Sequence, residues 1–261
     1  MAKFEFAFTD FWGFMFVLVR TAGILSALPL IGTRMVPMRI KIGLVFAVAL
    51  VFAPMVGSQM TPEILEPISL AVGLTAELII GIVLGFATRL LMAAIELAGS
   101  LMGLQVGFAM AVQLDPVNQV EVPILATFLT VIMTLLYFVV DGHHLLLLAL
   151  GSSFHLIPPF GAHLSARVVA DGVMLMDDMY VLALKLTLPI MASTFLVYVV
   201  LGIVGRVMPQ MNILFTAFPI TIGFGLMIIG LGLPLFSFLF QQSIIGLEQV
   251  MLDMMKELGR G

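Results

Sequence analysis

The sequence predicts an all-α, polytopic membrane protein, and two observations carry that prediction. Of the 261 residues, 62% are apolar and only 10% are charged. Soluble domains run at roughly 45–50% apolar and about 25% charged. So few charges cannot clothe the outer faces of helices folded in water, and a lipid solvent removes that demand. The second observation is the length of the uncharged runs. Ile42–Pro62, Val122–Val140 and Val207–Leu247 contain no Asp, Glu, Lys or Arg. A bilayer core of about 30 Å takes about 20 helical residues. The first two runs therefore fit one crossing each, and the third is long enough for two.

The elements follow in order. A helix over Phe11–Ile31 ends in the basic turn Gly32–Lys41, and Ile40–Val56 ends in the uncharged-to-acidic turn Gly57–Pro67. Ile68–Leu97 continues into a glycine-rich stretch that Asp115-Pro116 should terminate, because the residue before a proline avoids the helical region. Pro123–Val140 follows, then the long segment Asp141–Met179. Within that segment the apolar piece Leu145–Ile157 is too short to span and reads as re-entrant or packed. Tyr180–Val204 is the next span. Ile213–Phe240 is interrupted by Pro219, Pro234, Gly223, Gly225, Gly230 and Gly232, so it reads as a hairpin as readily as one rod.

No linker, repeat or low-complexity tail divides the chain, so one domain over 1–261 is expected. Its tail, Ile244–Leu258, is an amphipathic helix. Ile244, Leu247, Met251, Met254, Met255 and Leu258 recur at three- or four-residue spacing, opposite Glu248, Gln249, Asp253, Lys256 and Glu257. Arg34, Arg39 and Lys41 place the first turn in the cytoplasm by the positive-inside rule, and hence the N-terminus outside. Lys3 beside Glu5 and Asp10 is not the basic start of a cleavable signal. With no cysteine, disulfides and thiolate chemistry are excluded. A net charge of -4 without a basic stripe argues against nucleic acid as a partner.

Little in the sequence supports catalysis. His143 and His144 are adjacent, about 100° apart on a regular helix, so the pair alone does not chelate one ion; His155 and His163 lie further on. No hydrolase elbow, phosphate-binding loop or metalloprotease helix is present. The expectation is no enzyme, no metal and no cofactor. Arg20, Glu77, Arg89, Glu96 and Lys185 fall in or near apolar spans, where a charge costs about 2.5–3.5 kcal/mol on insertion scales. They read either as structural pairs and snorkelling side chains or as an ion relay. Glu77 and Arg89 are too far apart along one helix to pair with each other. The 20 methionines read mainly as adaptable apolar filler.

Two backbone features carry more information. Gly99, Gly103 and Gly107 recur every four residues and offer a smooth stripe for close backbone approach, before Phe108, Ala109 and Met110 lead to Asp115-Pro116. Further on, Arg206, Pro209, Gln210, Asn212, Phe218 and Pro219 combine helix-breaking prolines with amide side chains. Backbone freed in this way at membrane depth must be satisfied by protein or water. The stretch Pro209–Gly225 should therefore sit in an interface or cavity.

At these residues the sequence resembles the FliR/SpaR/YscT family, membrane subunits of the type III protein export gate. The blocks that carry the resemblance are Gly107-Phe-Ala…Asp115-Pro116, Asp141-Gly-His143 with Phe154-His155 and Pro158, and Arg206…Pro209-Gln210…Asn212…Phe218-Pro219. Where the family often has glycine before Phe-Pro, this chain has Ala217. The resemblance, which leans flagellar, implies helical hairpins in a helical assembly with FliP-like and FliQ-like subunits, next to an FlhB-like switch protein. It implies a location in the bacterial inner membrane at the flagellar base, partly raised from the lipid. It also implies a pore for unfolded export substrates, with Gly107, Phe108, Ala109, Met110, Asp115 and Pro116 forming a plug loop. Gly99, Gly103, Arg206, Pro209, Gln210, Asn212, Phe218 and Pro219 would serve subunit packing. Two rivals remain open at this point: a secondary transporter with its site at the broken helix Pro209–Gly225, and a membrane enzyme using His143, His144 and His155.

Overall fold

A computed structural model describes residues 2–29, 32, 36–57, 67–108, 123–163, 165–210 and 213–259, with side chains omitted for 2–10, 57 and 213–215. Every described element is helical. In chain order they are α1 (Ala2–Leu25), α2 (Met38–Phe52), α3 (Pro54–Gly57), α4 (Pro67–Val106), α5 (Ile124–Val139), α6 (Gly142–Leu156), α7 (Ala166–Val207) and α8 (Ile213–Leu258). The all-α class is as expected. Helices α4, α7 and α8 are each long and apolar enough to cross a membrane, and α5 with α6 qualifies together as one broken span.

Several boundaries differ from the sequence expectation. Helix α4 ends at Val106, before the glycine-rich stretch is complete and well short of Asp115-Pro116. Gly107 stops it: φ is +99°, a left-handed value that glycine adopts without penalty, and its N–H donates back to Gly103 O and Leu104 O. Helix α7 begins at Ala166 rather than Tyr180, because Asp171, Asp177 and Asp178 interrupt the apolar run without interrupting the helix. Helix α8 runs unbroken through Pro219 and Pro234, so it is a rod of 46 residues and the hairpin reading is corrected. Proline holds φ near the helical value and forfeits one hydrogen bond. Opening more backbone in an apolar solvent costs more. With 40, 42 and 46 residues, α4, α7 and α8 are each about twice the length of a perpendicular crossing.

The chain forms two compact units, residues 1–91, 137–176 and 244–261, and residues 92–136 and 177–243. In the first, α1 packs on α2, α3 and α6. Phe16, Ile24 and Leu25 of α1, Leu84 of α4, and Leu146, Leu150 and Phe154 of α6 are buried. A β-carbon placed on Gly23 would lie 2.8 Å from the Gly81 backbone, and one on Gly85 would lie 2.8 Å from Ala27 Cβ. Helices α1 and α4 thus cross backbone to backbone over small residues, four apart on each. The amphipathic tail of α8 buries Ile244, Leu247, Met251, Met254, Met255 and Leu258 in this unit while Glu248, Asp253 and Lys256 stay exposed. Leu258 O accepts from His163 N at 2.9 Å, and Glu257 pairs with Arg167 at 3.6 Å. The chain itself covers this apolar face. In the second unit, Ala98, Met102 and Val106 of α4, Leu125, Ala126 and Leu129 of α5, Leu186 and Ile190 of α7, and Ile229 and Phe236 of α8 are buried.

Candidate functional site

Of the residues singled out by sequence, Gly99, Gly103, Gly107 and Phe218 gather along one end of α4, within the second unit. Gly99 lies against the backbone of Ala126, and Gly103 is near Leu125 Cβ, 3.9 Å from where its own β-carbon would be. The glycine stripe therefore receives α5 of the same chain. One turn further on, buried Val106 fills the space beside Gly225 of α8, where a β-carbon would lie 2.8 Å from Val106 Cγ1. Gly107 follows. A β-carbon there would stand 3.7 Å from both Phe218 Cδ1 and Thr221 Oγ1. The blocks around Gly107 and Phe218-Pro219, far apart in sequence, meet here.

A tyrosine fastens the same turn. The Tyr198 hydroxyl of α7 donates to Gln105 O at 2.9 Å, in the last turn of α4. Thr221 is buried, and its hydroxyl donates to Phe218 O at 3.2 Å. Phe218 and Phe108 are half-buried. The turn after α7 is open: Arg206, Pro209 and Gln210 are exposed, as is Pro219 on α8. Beside it, Leu196, Val200 and Val204 of α7 and Thr216, Ile220 and Phe224 of α8 line an apolar groove of about 530 Å³. Ala109, Met110, Asp115, Pro116 and Asn212 lie outside the described residues.

The intramembrane charges separate into two sets. In the first unit Arg20 and Glu77 are both buried and form a bidentate pair, Nε to Oε2 and Nη2 to Oε1, the latter at 2.9 Å. Arg20 Nη1 also donates to Ser153 Oγ at 3.1 Å and Nη2 to Ile157 O at 3.0 Å, and the guanidinium carbon lies 4.4 Å from the centre of the Phe154 ring. One side chain thus joins α1, α4 and the end of α6. Every charge is matched and every donor named has an acceptor, which is what a buried ion pair requires. Arg89, Glu96 and Lys185 are exposed. Sequence reading raised pairing for Arg20 and Glu77 but missed Ser153, the Ile157 carbonyl, Tyr198 and the crossing at Gly81 and Gly85. The last had a legible signal, the same four-residue glycine spacing seen at Gly99 and Gly103.

The histidines divide between a local cluster and the surface. Asp141, His143 and His144 bring one ligand-forming atom each to within 4.8 Å of one another, while His155 and His163 are exposed. His143 and His144 both lie within α6, and Asp141, just before its first residue Gly142, completes the cluster.

The helices, their scarcity of charge and the small-residue contacts define an all-α polytopic membrane protein. Within that class, residues 11–246 match the family described as "Bacterial export proteins, family 1". The chain belongs to this family, the FliR/SpaR/YscT family, on its flagellar side. It is 33% identical over 229 residues to the flagellar biosynthetic protein FliR of Pectobacterium carotovorum, covering 86% of this chain and 84% of the relative. It is 28% identical over 242 residues to that of Escherichia coli K12, covering 92% of each. Against that of Bacillus subtilis 168 it is 31% identical over 218 residues, covering 81% of this chain and 82% of the relative. Membership makes it a membrane component of the flagellar protein export apparatus.

Proposed function

We propose that this chain is a structural and gating subunit of the export channel, lining a pore for unfolded substrates and closing it with the segment that begins at Gly107. The observation that supports this most is the left-handed turn at Gly107, set beside Phe218 and Thr221. It ends a 40-residue helix abruptly and anchors the root of the next segment on α8. A conduit wide enough for a protein chain leaks ions unless something apolar and easily displaced fills it. Glycine supplies the pivot, and Phe108 and Met110 supply surface that excludes water. An entering substrate displaces the segment while Gly107 and its anchor hold. The chain performs no covalent chemistry in this scheme.

The packing proposal rests on exposure. Arg206, Pro209 and Gln210, and with them Asn212, belong against neighbouring FliP-like and FliQ-like subunits, along with Pro219 and the apolar groove between α7 and α8. An FlhB-like protein would join this assembly in the inner membrane at the flagellar base. The glycines 99 and 103 serve it indirectly, by holding α4 on α5.

Deleting residues 107–112 tests the plug. The expected result is a raised ion conductance in membranes carrying the assembled complex, with co-purification of the FliP-like and FliQ-like chains unchanged. Wild-type conductance in an intact complex refutes the plug assignment. Loss of co-purification refutes the separation of plug from packing surface.

A further inference from the structure

Three ligand-forming side chains converge where α5 gives way to α6, and nothing in the gating scheme uses them. Asp141 stands at the break with φ 56° and ψ 28°, a left-handed conformation that aspartate tolerates better than most residues. An acid in this position ordinarily caps the following helix. Asp141 makes no side-chain cap bond. Its Oδ1 instead lies 3.3 Å from His144 Nδ1. The His143 and His144 rings are 4.3 Å apart, with 37° between their planes. His143 Nδ1 is buried without a hydrogen-bond partner, an unfavourable state for a polar atom. Across the same groove, a cavity of about 280 Å³ lined by Asp141 and His144, stands Glu248 of α8.

We infer that Asp141, His143 and His144 form a binding site for one divalent transition-metal ion, with zinc the best chemical match. Two imidazoles and a carboxylate suit zinc better than magnesium or calcium, which prefer oxygen alone. Bonds of about 2.0–2.2 Å in tetrahedral geometry put ligand atoms about 3.3–3.5 Å apart, the spacing Asp141 and His144 already have. Rotation of the His143 side chain closes the third position, and it gives the orphaned Nδ1 a partner. Three protein ligands leave a fourth position for water or for Glu248.

The local backbone is braced to hold such a site. The Tyr137 hydroxyl donates to Gly142 O at 2.6 Å across the break, and Gly142 lies directly under the Tyr137 ring. The start of a helix disfavours a cation, and the Asp141 carboxylate offsets this. The ion's role is structural. It fixes the break between α5 and α6.

The test uses the full-length chain in detergent, free of any polyhistidine tag and stripped with a chelator. Cobalt(II) is added as an optical probe. The expected result is one cobalt per chain, with visible absorption bands of a four-coordinate ion that zinc then displaces. His144→Ala should weaken binding by at least about 10-fold, as should His143→Ala. Because His144 is 61% exposed, its variant should fold normally, and it carries the test should the His143 variant misfold. Ser152→Ala, on the same groove, should leave binding unchanged. Absence of stoichiometric cobalt binding overturns the inference, and so does binding that survives His144→Ala. Either result would reduce the cluster to a histidine–carboxylate pair.

Discussion

The two units are specified by different forces. In residues 1–91, 137–176 and 244–261, polar bonds run between helices: Arg20 to Glu77, to Ser153 and to the Ile157 carbonyl, and Arg167 to Glu257. In residues 92–136 and 177–243, buried hydroxyls turn back on their own helix, Thr187 to Ala183 O and Thr194 to Ile190 O. There the helices meet mainly by shape, at Gly99 against Ala126 and at Val106 against Gly225, with Tyr198 to Gln105 as a polar bond between elements. Directional bonds allow one register and resist sliding. Contacts over small residues hold only while the fit is kept, and they allow one helix to move along another at lower cost. The most apolar 18-residue stretch of α4 is 56% buried, against 17% for α7 and for α8. Helices α7 and α8 therefore need cover from lipid or from neighbouring subunits.

If the first unit is held by directional bonds, breaking one side of its ion pair should have the largest effect of any single change. Arg20→Met leaves Glu77 charged in a dry interior, and Glu77→Met does the same to Arg20. Each should cost about 3–5 kcal/mol, seen as a large drop in the unfolding midpoint in detergent. The double variant should recover part of that loss, because no charge remains buried. Full recovery is not expected: the Ile157 carbonyl loses its donor, at about 1–3 kcal/mol. Equal damage from single and double variants would show that the pair acts by packing, and the contrast between the units would lapse.

The second change probes shape in both units. Gly81→Leu and Gly99→Leu put side chains where the backbones of Arg20 and Ala126 already lie, and each should cost about 1–3 kcal/mol or more. Gly202 and Gly223 have open space around them. Their alanine variants should be neutral or stabilising by about 0.5–1 kcal/mol, since glycine in a helix loses more entropy on folding. The same thermal scans compare all four. Destabilisation at Gly202 or Gly223 would sharpen the picture in another way. It would mean that a neighbouring subunit uses that open face, provided the effect appears only in the assembled complex.

The class of fold was legible because lipid imposes so strong a rule on composition: a chain with 10% charged residues has few alternatives. Helix boundaries were less legible. Reading Pro219 and Pro234 as breaks counted the lost hydrogen bonds without the solvent that makes a continuous helix the better outcome. Starting α7 at Tyr180 rather than Ala166 took polar residues for its boundary, when hydropathy reports only what faces lipid. The candidate site was half visible. Glycine spacing and the Phe-Pro pair stood out, but that Gly107 meets Phe218 is set by where α4 stops, and that depends on one backbone angle. The choice of Glu77 as partner for Arg20, 57 residues away, depends on the crossing at Gly23 and Gly81, which no periodicity along one helix reveals.

Moderate effects are expected at the end of α4, where conformation and hydrogen bonding can be separated. Gly107→Ala forces a β-carbon into a left-handed conformation, at about 1–2 kcal/mol, although the space beside Phe218 and Thr221 can accept it at ordinary contact distance. Its cost is therefore conformational, and Gly107→Asn should recover part of it, since asparagine tolerates that region. Tyr198→Phe removes only the donor to Gln105 O, at about 0.5–1.5 kcal/mol. Both variants leave the buried contacts between Val106 and Gly225 in place, so the stability loss should not exceed these figures while the root of the following segment loosens. Conductance measured beside stability separates the two roles. If Gly107 is the pivot of a plug, Gly107→Ala raises leakage more than Tyr198→Phe at a similar stability loss. Leakage that tracks stability alone would make the end of α4 an ordinary helix terminus.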